Sequence, residues 1–360
     1  MTIIGFNKLG NKMKVLITGS GGLIGNEACI HWLKMGSSVV GIDNNMRKTF
    51  FGEGGDVSKN ILSLSSYDNY THCNIDIRNR DDIEDVFKKN RFDVIIHCAA
   101  QPSHDKAAQI PFLDFETNAL GTLNLLESFR KNKKDDAVFI HVSTNKVYGD
   151  SPNYIEMHEG DFRYDFADPE YKNGIDESLS IDQSMHSLFG ASKLSADIMA
   201  QEYGRYFDLN VGVFRGGCLT GPHHAGVELH GFLSYIVKCA MKDKNYTIFG
   251  YKGKQVRDQI HSSDVISAFD MFIENPKKGE VYNIGGQKKN SMSVLEVISH
   301  IEKVSGKSLN YKLSNLNRSG DHICYYTDMK KFKKDYPGWD IKRNIEDIIN
   351  EMIFQYRRNL

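Results

Sequence analysis

Three glycines, a carboxylate and a lysine are the residues of this chain whose spacing could do chemistry. Gly19, Gly22 and Gly25 stand three apart in Thr18-Gly19-Ser20-Gly21-Gly22-Leu23-Ile24-Gly25, directly after the apolar run Lys14-Val15-Leu16-Ile17. At a strand-to-helix turn such glycines supply a tight bend, close backbone approach to a pyrophosphate and close packing of helix on sheet. The helix that follows, read over Asn26 to Met35, offers unpaired N–H groups and a positive dipole end to phosphate oxygens, so Leu23 and Ile24 join the glycines as expected contacts. A second apolar run, Ser38 to Ile42, ends in Asp43 about twenty residues on, where a carboxylate can hold an adenosine ribose. That acid repels a 2′-phosphate, which favours NAD over NADP. Arg47 tempers the preference, and Asn44 belongs to the same expected cofactor contacts. The bland alternative is a turn followed by a capping aspartate.

The elements that must position these groups alternate in type. Tyr70 to Asn74 reads as a strand delivering Asp76 and Ile77 to an adenine. Asp93 to Ala100 reads as a buried strand closing on Ala99 and Ala100, small residues that let a ligand reach the backbone, with Gln101 beside them. Val138 to Val142 delivers Ser143, Thr144, Asn145 and Lys146. Asn118, near Gly121 and Leu125, is either a cofactor contact or an ordinary polar residue of a packed helix. This rhythm predicts an α/β fold, a Rossmann-type doubly wound parallel sheet with ligands at the strands' carboxyl ends, plus a smaller C-terminal α/β substrate-binding lobe. Residues 1–12 read as an N-terminal extension and 13–185 as the NAD-binding Rossmann domain; 186–360 read mainly as the substrate-binding lobe, with 186–215 and 253–270 returning to the first domain.

Composition sets the outer bounds. With a formal charge of −1 over 360 residues, no global field recruits nucleic acid or an acidic membrane. The six cysteines are scattered without a C-x-x-C pair, which suits neither a disulfide framework nor zinc and fits a reducing cytoplasm. No apolar run approaches the ~20 residues of a membrane span, and the first twelve residues lack a secretory signal's apolar stretch. His223, His224, Glu228, His230 and His261 follow no closed zinc pattern, so no metal is expected.

Taken together, TGSGGLIG, Asp43, HCAA (97–100), STNKVYGD (143–150) and FGASK (189–193) resemble the extended short-chain dehydrogenase/reductases of the NAD-dependent nucleotide-sugar epimerase/dehydratase group, over nearly the whole chain from Met13. The resemblance implies a serine or threonine, a tyrosine and a lysine acting together. Thr144 and Lys193 match the first and last, and Phe189 occupies the tyrosine's place. Taking hydride from a sugar carbinol also requires taking its O–H proton, so a base must lie within hydrogen-bond reach. A tyrosine near pH 10 serves once an ammonium and a positive nicotinamide lower its pKa. Lys193, four residues along a helix, shares a face with residue 189. Phenylalanine keeps the volume and carries no proton, a loss worth ~10²–10⁴-fold in rate. Two explanations stand: a deliberate Tyr-to-Phe change that traps substrate, or a natural binder or divergent enzyme using another base, such as His186 or a water.

The resemblance also bears on the reaction. Dehydratases of the group follow the serine or threonine with an Asp-Glu pair that eliminates water; here Asn145 and Lys146 stand there, suited instead to sugar hydroxyls or a transient ketone. Within the group, STNKVYGD and GKQVRD (253–258) most resemble epimerases acting at C2 of a CDP-3,6-dideoxyhexose. UDP- or GDP-hexose epimerases or dehydrogenases, and a non-catalytic NAD-binding sensor, are the alternatives. Arg215, Arg257 and Arg318 suit a diphosphate clamp, against the plain reading of three surface arginines. Likeness adds Asp321 and Gln255 to the substrate contacts, and His230 to the sugar pocket. The polar, aromatic stretch 150–184 is either a substrate lid or a surface insertion. Helices at 121–130 and from 189 onward imply a homodimer or homotetramer.

Overall fold

The computed structural model describes residues 10, 12–222, 224, 226–227, 231–316 and 320–358. Its largest layer is a seven-stranded parallel sheet in the order Glu280–Ile284, Asn210–Gly216, Val138–Thr144, Val94–His97, Lys14–Thr18, Ser38–Ile42, Tyr70–Cys73. Side chains alternate across a strand, and helices cover both faces of this sheet, so consecutive apolar residues all find a core. Val15 and Ile17 face helices Leu23–Lys34 and Ser262–Glu274 through Ala28, Trp32, Phe269 and Phe272. Leu16 faces the other side, with Phe87, Leu125, Phe129 and Ala200 of helices Arg80–Lys89, Gly121–Asn132 and Ser187–Tyr206. Each such side chain contributes about 1.5–3 kcal/mol by leaving water.

Register decides where the site can be. Thr18 stands opposite both Ile42 and His97, and His97 opposite His141. Strands Lys14–Thr18, Ser38–Ile42 and Val94–His97 therefore stop together, Val138–Thr144 runs three residues further, and Gly19, Asp43, Cys98 and Thr144 lie along that carboxyl edge.

The C-terminal lobe has its own core. Helices Phe232–Met241, Val294–Ser305 and Ile345–Arg358 pack Ile236, Val237, Val297, Ile301, Ile349 and Ile353 against Ile248 of the two-stranded sheet Tyr246–Phe249/Tyr311–Ser314. A capping box starts helix Val294–Ser305: Ser293 Oγ accepts from the Glu296 N–H, and Glu296 accepts from the Ser293 N–H. A four-stranded sheet of Cys218–Thr220, Val256–His261, Ser291–Ser293 and Cys324–Tyr325 joins the two layers.

The chain returns to the larger layer further than 253–270. Helix Ser262–Glu274 and edge strand Glu280–Ile284 both belong to it, and Phe332 and Trp339 pack into the same core. Segment 150–184 folds as a small hairpin, Met157–Glu159 with Tyr164–Phe166. It is stapled to the C-terminal lobe by Tyr326 Oη donating to Asp165 (2.6 Å), Arg163 donating to Ser291 Oγ (2.8 Å) and the Tyr164 N–H donating to Lys254 O (3.0 Å).

Candidate functional site

A cavity of about 470 Å³ runs along the sheet's carboxyl edge into the C-terminal lobe. At one end is the glycine turn. Gly19 has φ +68°, and a Cβ there would meet Ala99 N at 2.9 Å; a Cβ on Gly25 would come within 2.1 Å of Gly19 O. These two positions need glycine for the bend and for the packing of helix on turn. No side chain caps helix Leu23–Lys34 at Gly22. Gly22, Leu23, Ile24 and Gly25 line the cavity there, an arrangement that fits a pyrophosphate.

Asp43 is braced to the turn. Its carboxylate accepts the Gly21 N–H and the Asn45 N–H, both at 2.8 Å, while burial raises its pKa. Arg47 lies nearby, pushed down to about 10 by burial, its guanidinium 5.1 Å from the Phe51 ring. Asn44, Asp76, Ile77, Ala99 and Ala100 also line this end, with Asp76 paired to Arg78 at 2.7 Å. Carboxylate, glycine turn and helix end thus stand in the order that ribose and pyrophosphate of an adenine dinucleotide require.

The middle of the cavity holds Ser143, Thr144, Phe189 and Lys193. Lys193 Nζ donates to Val142 O at 3.0 Å, and burial pushes its pKa down to about 8. Thr144 Oγ1 accepts the Lys146 N–H at 3.2 Å, ending the strand in a short 3-10 turn. Phe189 is buried, with its ring centroid 4.9 Å from that of His104, which also lines the cavity. His104 escaped the sequence reading, although it follows the strand closing on Ala99 and Ala100. His186 lies elsewhere: its Nε2 is 2.8 Å from Ile181 O, and it does not line the cavity.

Charge collects at the far end. Lys146 Nζ donates to Gly320 O (2.9 Å) and sits 3.8 Å from Asp321, which also pairs with Arg257. Asn145, Gln255, Arg257 and Asp321 line the wall with Lys146. Among the described residues, buried Gln255 Oε1, Thr220 Oγ1 and Thr117 Oγ1, all of residues lining the cavity, find no hydrogen-bond partner. Orphaned polar atoms around one cavity fit a polar ligand that would satisfy them.

Three expected contacts stand outside the cavity. Arg215 is locked to Asp197 (2.9 and 3.0 Å) and to Tyr148 Oη (3.1 Å), so the diphosphate clamp expected there gives way to a buried ion pair. Gln101 and Asn118 hold each other through the Gln101 N–H donating to Asn118 Oδ1 (2.8 Å) and Asn118 Nδ2 donating to Gln101 O (3.1 Å), with Asp114 and Ser192 completing the network. They brace the backbone after Ala100 and do not line the cavity. No residue of 150–184 lines the cavity either. His230 and Arg318 lie outside the described residues, as do His223 and Glu228. Among the described residues, no group of three or more His, Cys, Asp or Glu is placed to hold a metal ion, and no helix is long and apolar enough to cross a membrane.

Comparison with known proteins adds to this geometry. Residues 15–285 match the model of the NAD dependent epimerase/dehydratase family. The chain is 34% identical over 348 residues to the CDP-paratose 2-epimerase of Salmonella typhi, covering 94% of this chain and 98% of the relative. It is 28% identical to a dTDP-glucose 4,6-dehydratase of Salmonella typhimurium, covering 96% and 93%. A crystal structure of a tyrosine-to-phenylalanine mutant of the UDP-glucuronic acid 4-epimerase from Bacillus cereus, in complex with NAD and UDP-4-deoxy-4-fluoro-glucuronic acid, superposes with a TM-score of 0.79. It is 27% identical, with 97% of this chain and 100% of that one covered.

Proposed function

The chain belongs to the NAD dependent epimerase/dehydratase family, and within it we propose that it is a nucleotide-sugar epimerase that inverts C2 of CDP-paratose to give CDP-tyvelose. The observation that carries this reading is the cavity itself, which joins the glycine turn to Thr144 and Lys193 and ends at Lys146, Arg257 and Asp321. Its cofactor is NAD, which supplies the hydride acceptor and donor when bound. Gly19, Gly22 and Gly25 would lie against the pyrophosphate and Asp43 against the ribose. Arg257 would hold the substrate diphosphate, and Thr144 the reacting oxygen. Lys193, with its pKa near 8, brings a positive charge that favours loss of the carbinol proton. Between oxidation and reduction the ketone must present its other face, so the nucleotide is gripped while the sugar is held loosely.

Epimerisation is favoured over dehydration because Asn145 and Lys146 provide no carboxylate pair to eliminate water. Phe189 removes the hydroxyl that the family uses, so turnover should be reduced and binding retained. The Bacillus cereus mutant, obtained with both NAD and a nucleotide sugar, supports retained binding. The test is NMR-monitored conversion of CDP-paratose by this chain and by Phe189→Tyr. A gain of about 10²–10⁴-fold with tyrosine supports the reading; inertness of both toward CDP-, UDP- and GDP-sugars despite NAD binding favours a non-catalytic NAD sensor.

A further inference from the structure

With no hydroxyl on residue 189, the titratable ring placed against it becomes decisive. His104 opens helix His104–Gln109 on the turn that follows Ala99 and Ala100, and it lines the cavity with Thr144, Phe189 and Lys193. Its mounting is firm. Ser103 caps the helix by accepting the Lys106 N–H (3.3 Å), and the Ser103 N–H donates to Gln101 Oε1 (2.6 Å), which ties the turn to the buried Gln101–Asp114–Asn118 network. The imidazole Nδ1 lies 3.0 Å from Ser187 Oγ, an oxygen that also accepts the Gly190 N–H at 3.3 Å. When Nδ1–H donates to that oxygen, the ring's lone pair resides on Nε2, the tautomer a general base requires. With ring centroids 4.9 Å apart, the imidazole packs against the Phe189 ring on the same cavity wall.

We propose that His104 is the acid/base of this chain, taking the sugar carbinol proton that Phe189 cannot carry. This rests on the epimerase reading above. In the forward step the sugar O–H bond breaks and its proton passes to Nε2, giving an imidazolium. The carbinol C–H bond breaks with its electron pair leaving as hydride to the bound nicotinamide, and a C=O bond forms. The return step delivers hydride to the opposite face of the carbonyl carbon while the imidazolium gives its proton back to oxygen. The return step regenerates resident NAD, and nothing is consumed.

The test is a cycle of four NAD-loaded proteins: this chain, His104→Gln, Phe189→Tyr and the double variant, each given CDP-paratose. His104→Gln should lower kcat of this chain by about 10-fold or more, a share of the ~10²–10⁴-fold that a general base is worth, and that of Phe189→Tyr by less than about 3-fold, because tyrosine then carries the proton. Equal losses in both backgrounds, or no loss in this chain, overturn the proposal. An active Phe189→Tyr beside a chain that never forms NADH or product overturns it too, leaving the epimerase reading intact; four inert proteins overturn both. A second readout needs no turnover. The His104 Cε1–H resonance, assigned by its absence in His104→Gln, should shift when CDP-paratose is titrated into the NAD-loaded chain. An unmoved resonance at saturation overturns the contact. Unchanged NAD affinity of His104→Gln separates lost chemistry from a lost fold.

Discussion

A benzene ring at position 189 and a lysine one helical turn later put two opposite demands on one pocket. The ring is at home in an apolar wall. The ammonium of Lys193 is not, although it donates a hydrogen bond to Val142 O at 3.0 Å. Burial therefore pushes the amine down to about 8, well below an ordinary lysine. Between about pH 8 and pH 10 the unfolded chain binds the proton that the folded chain has released, so stability rises with pH across that window. Urea melts of the NAD-free protein at pH 7.5, 8.5 and 9.5 should show this rise, and Lys193→Met should flatten it. A variant with the same slope would mean that other groups set it. The functional residues legible in the sequence are those whose chemistry is local: Gly19, Gly25 and Asp43 announce themselves by type and spacing. His104 did not, because its meaning comes from a ring 85 positions away in the chain.

At the scale of elements, the same distinction separates Arg257 from Arg215. Both sit beside turn signals in the sequence and both are buried on strands, but Arg257 lines the cavity whereas strand Asn210–Gly216 carries Arg215 to a carboxylate away from it. Its partner Asp197 comes from helix Ser187–Tyr206, and no spacing rule marks that pairing. Removing the cation would strand a fully buried carboxylate. Arg215→Leu should cost about 3–5 kcal/mol by chemical denaturation; a loss under about 1 kcal/mol would contradict this structural role. The glycine turn makes a sharper demand, since a methyl at position 25 would overlap Gly19 O. Gly25→Ala should therefore weaken NAD binding by at least about tenfold, the equivalent of about 1.4 kcal/mol, as read by quenching of intrinsic fluorescence. Undiminished affinity would mean the turn can shift without loss. Strands Lys14–Thr18, Ser38–Ile42, Val94–His97 and Val138–Thr144 were legible because each is a short, largely apolar run that ends at small or turn-forming residues. The choice between lid and surface insertion for 150–184 was not, because long-range bonds such as Tyr326 to Asp165 decide where that hairpin lies.

For the whole molecule, one surface stands out from the rest. Phe112, Phe115, Leu120, Leu188 and Ile198 are exposed apolar side chains on or beside the helices that cover a single face of the large sheet. Large exposed apolar patches mark association sites, and the helices at 121–130 and from 189 onward are those expected to pair in a homodimer or homotetramer. Light scattering after size exclusion should give twice the 40.9 kDa chain mass, and Leu120→Glu with Ile198→Glu should shift it toward the monomer. A monomeric parent at micromolar concentration would refute the pairing. The division into lobes was only partly legible, because composition gives no sign that Glu280–Ile284 crosses back to become an edge strand.

That crossing governs how the protein can be made. Until roughly residue 284 has left the ribosome, strand Asn210–Gly216 has no neighbour on its outer side, and helix Leu23–Lys34 lacks helix Ser262–Glu274 against Trp32. A nascent chain thus displays an open sheet edge and an uncovered apolar helix for the time it takes to synthesise some seventy further residues, about 4–14 seconds at ordinary translation rates. Premature termination within that interval yields a product primed for edge-to-edge association. The protein's yield in a cell accordingly depends on the protection of that intermediate as well as on the stability of the finished fold.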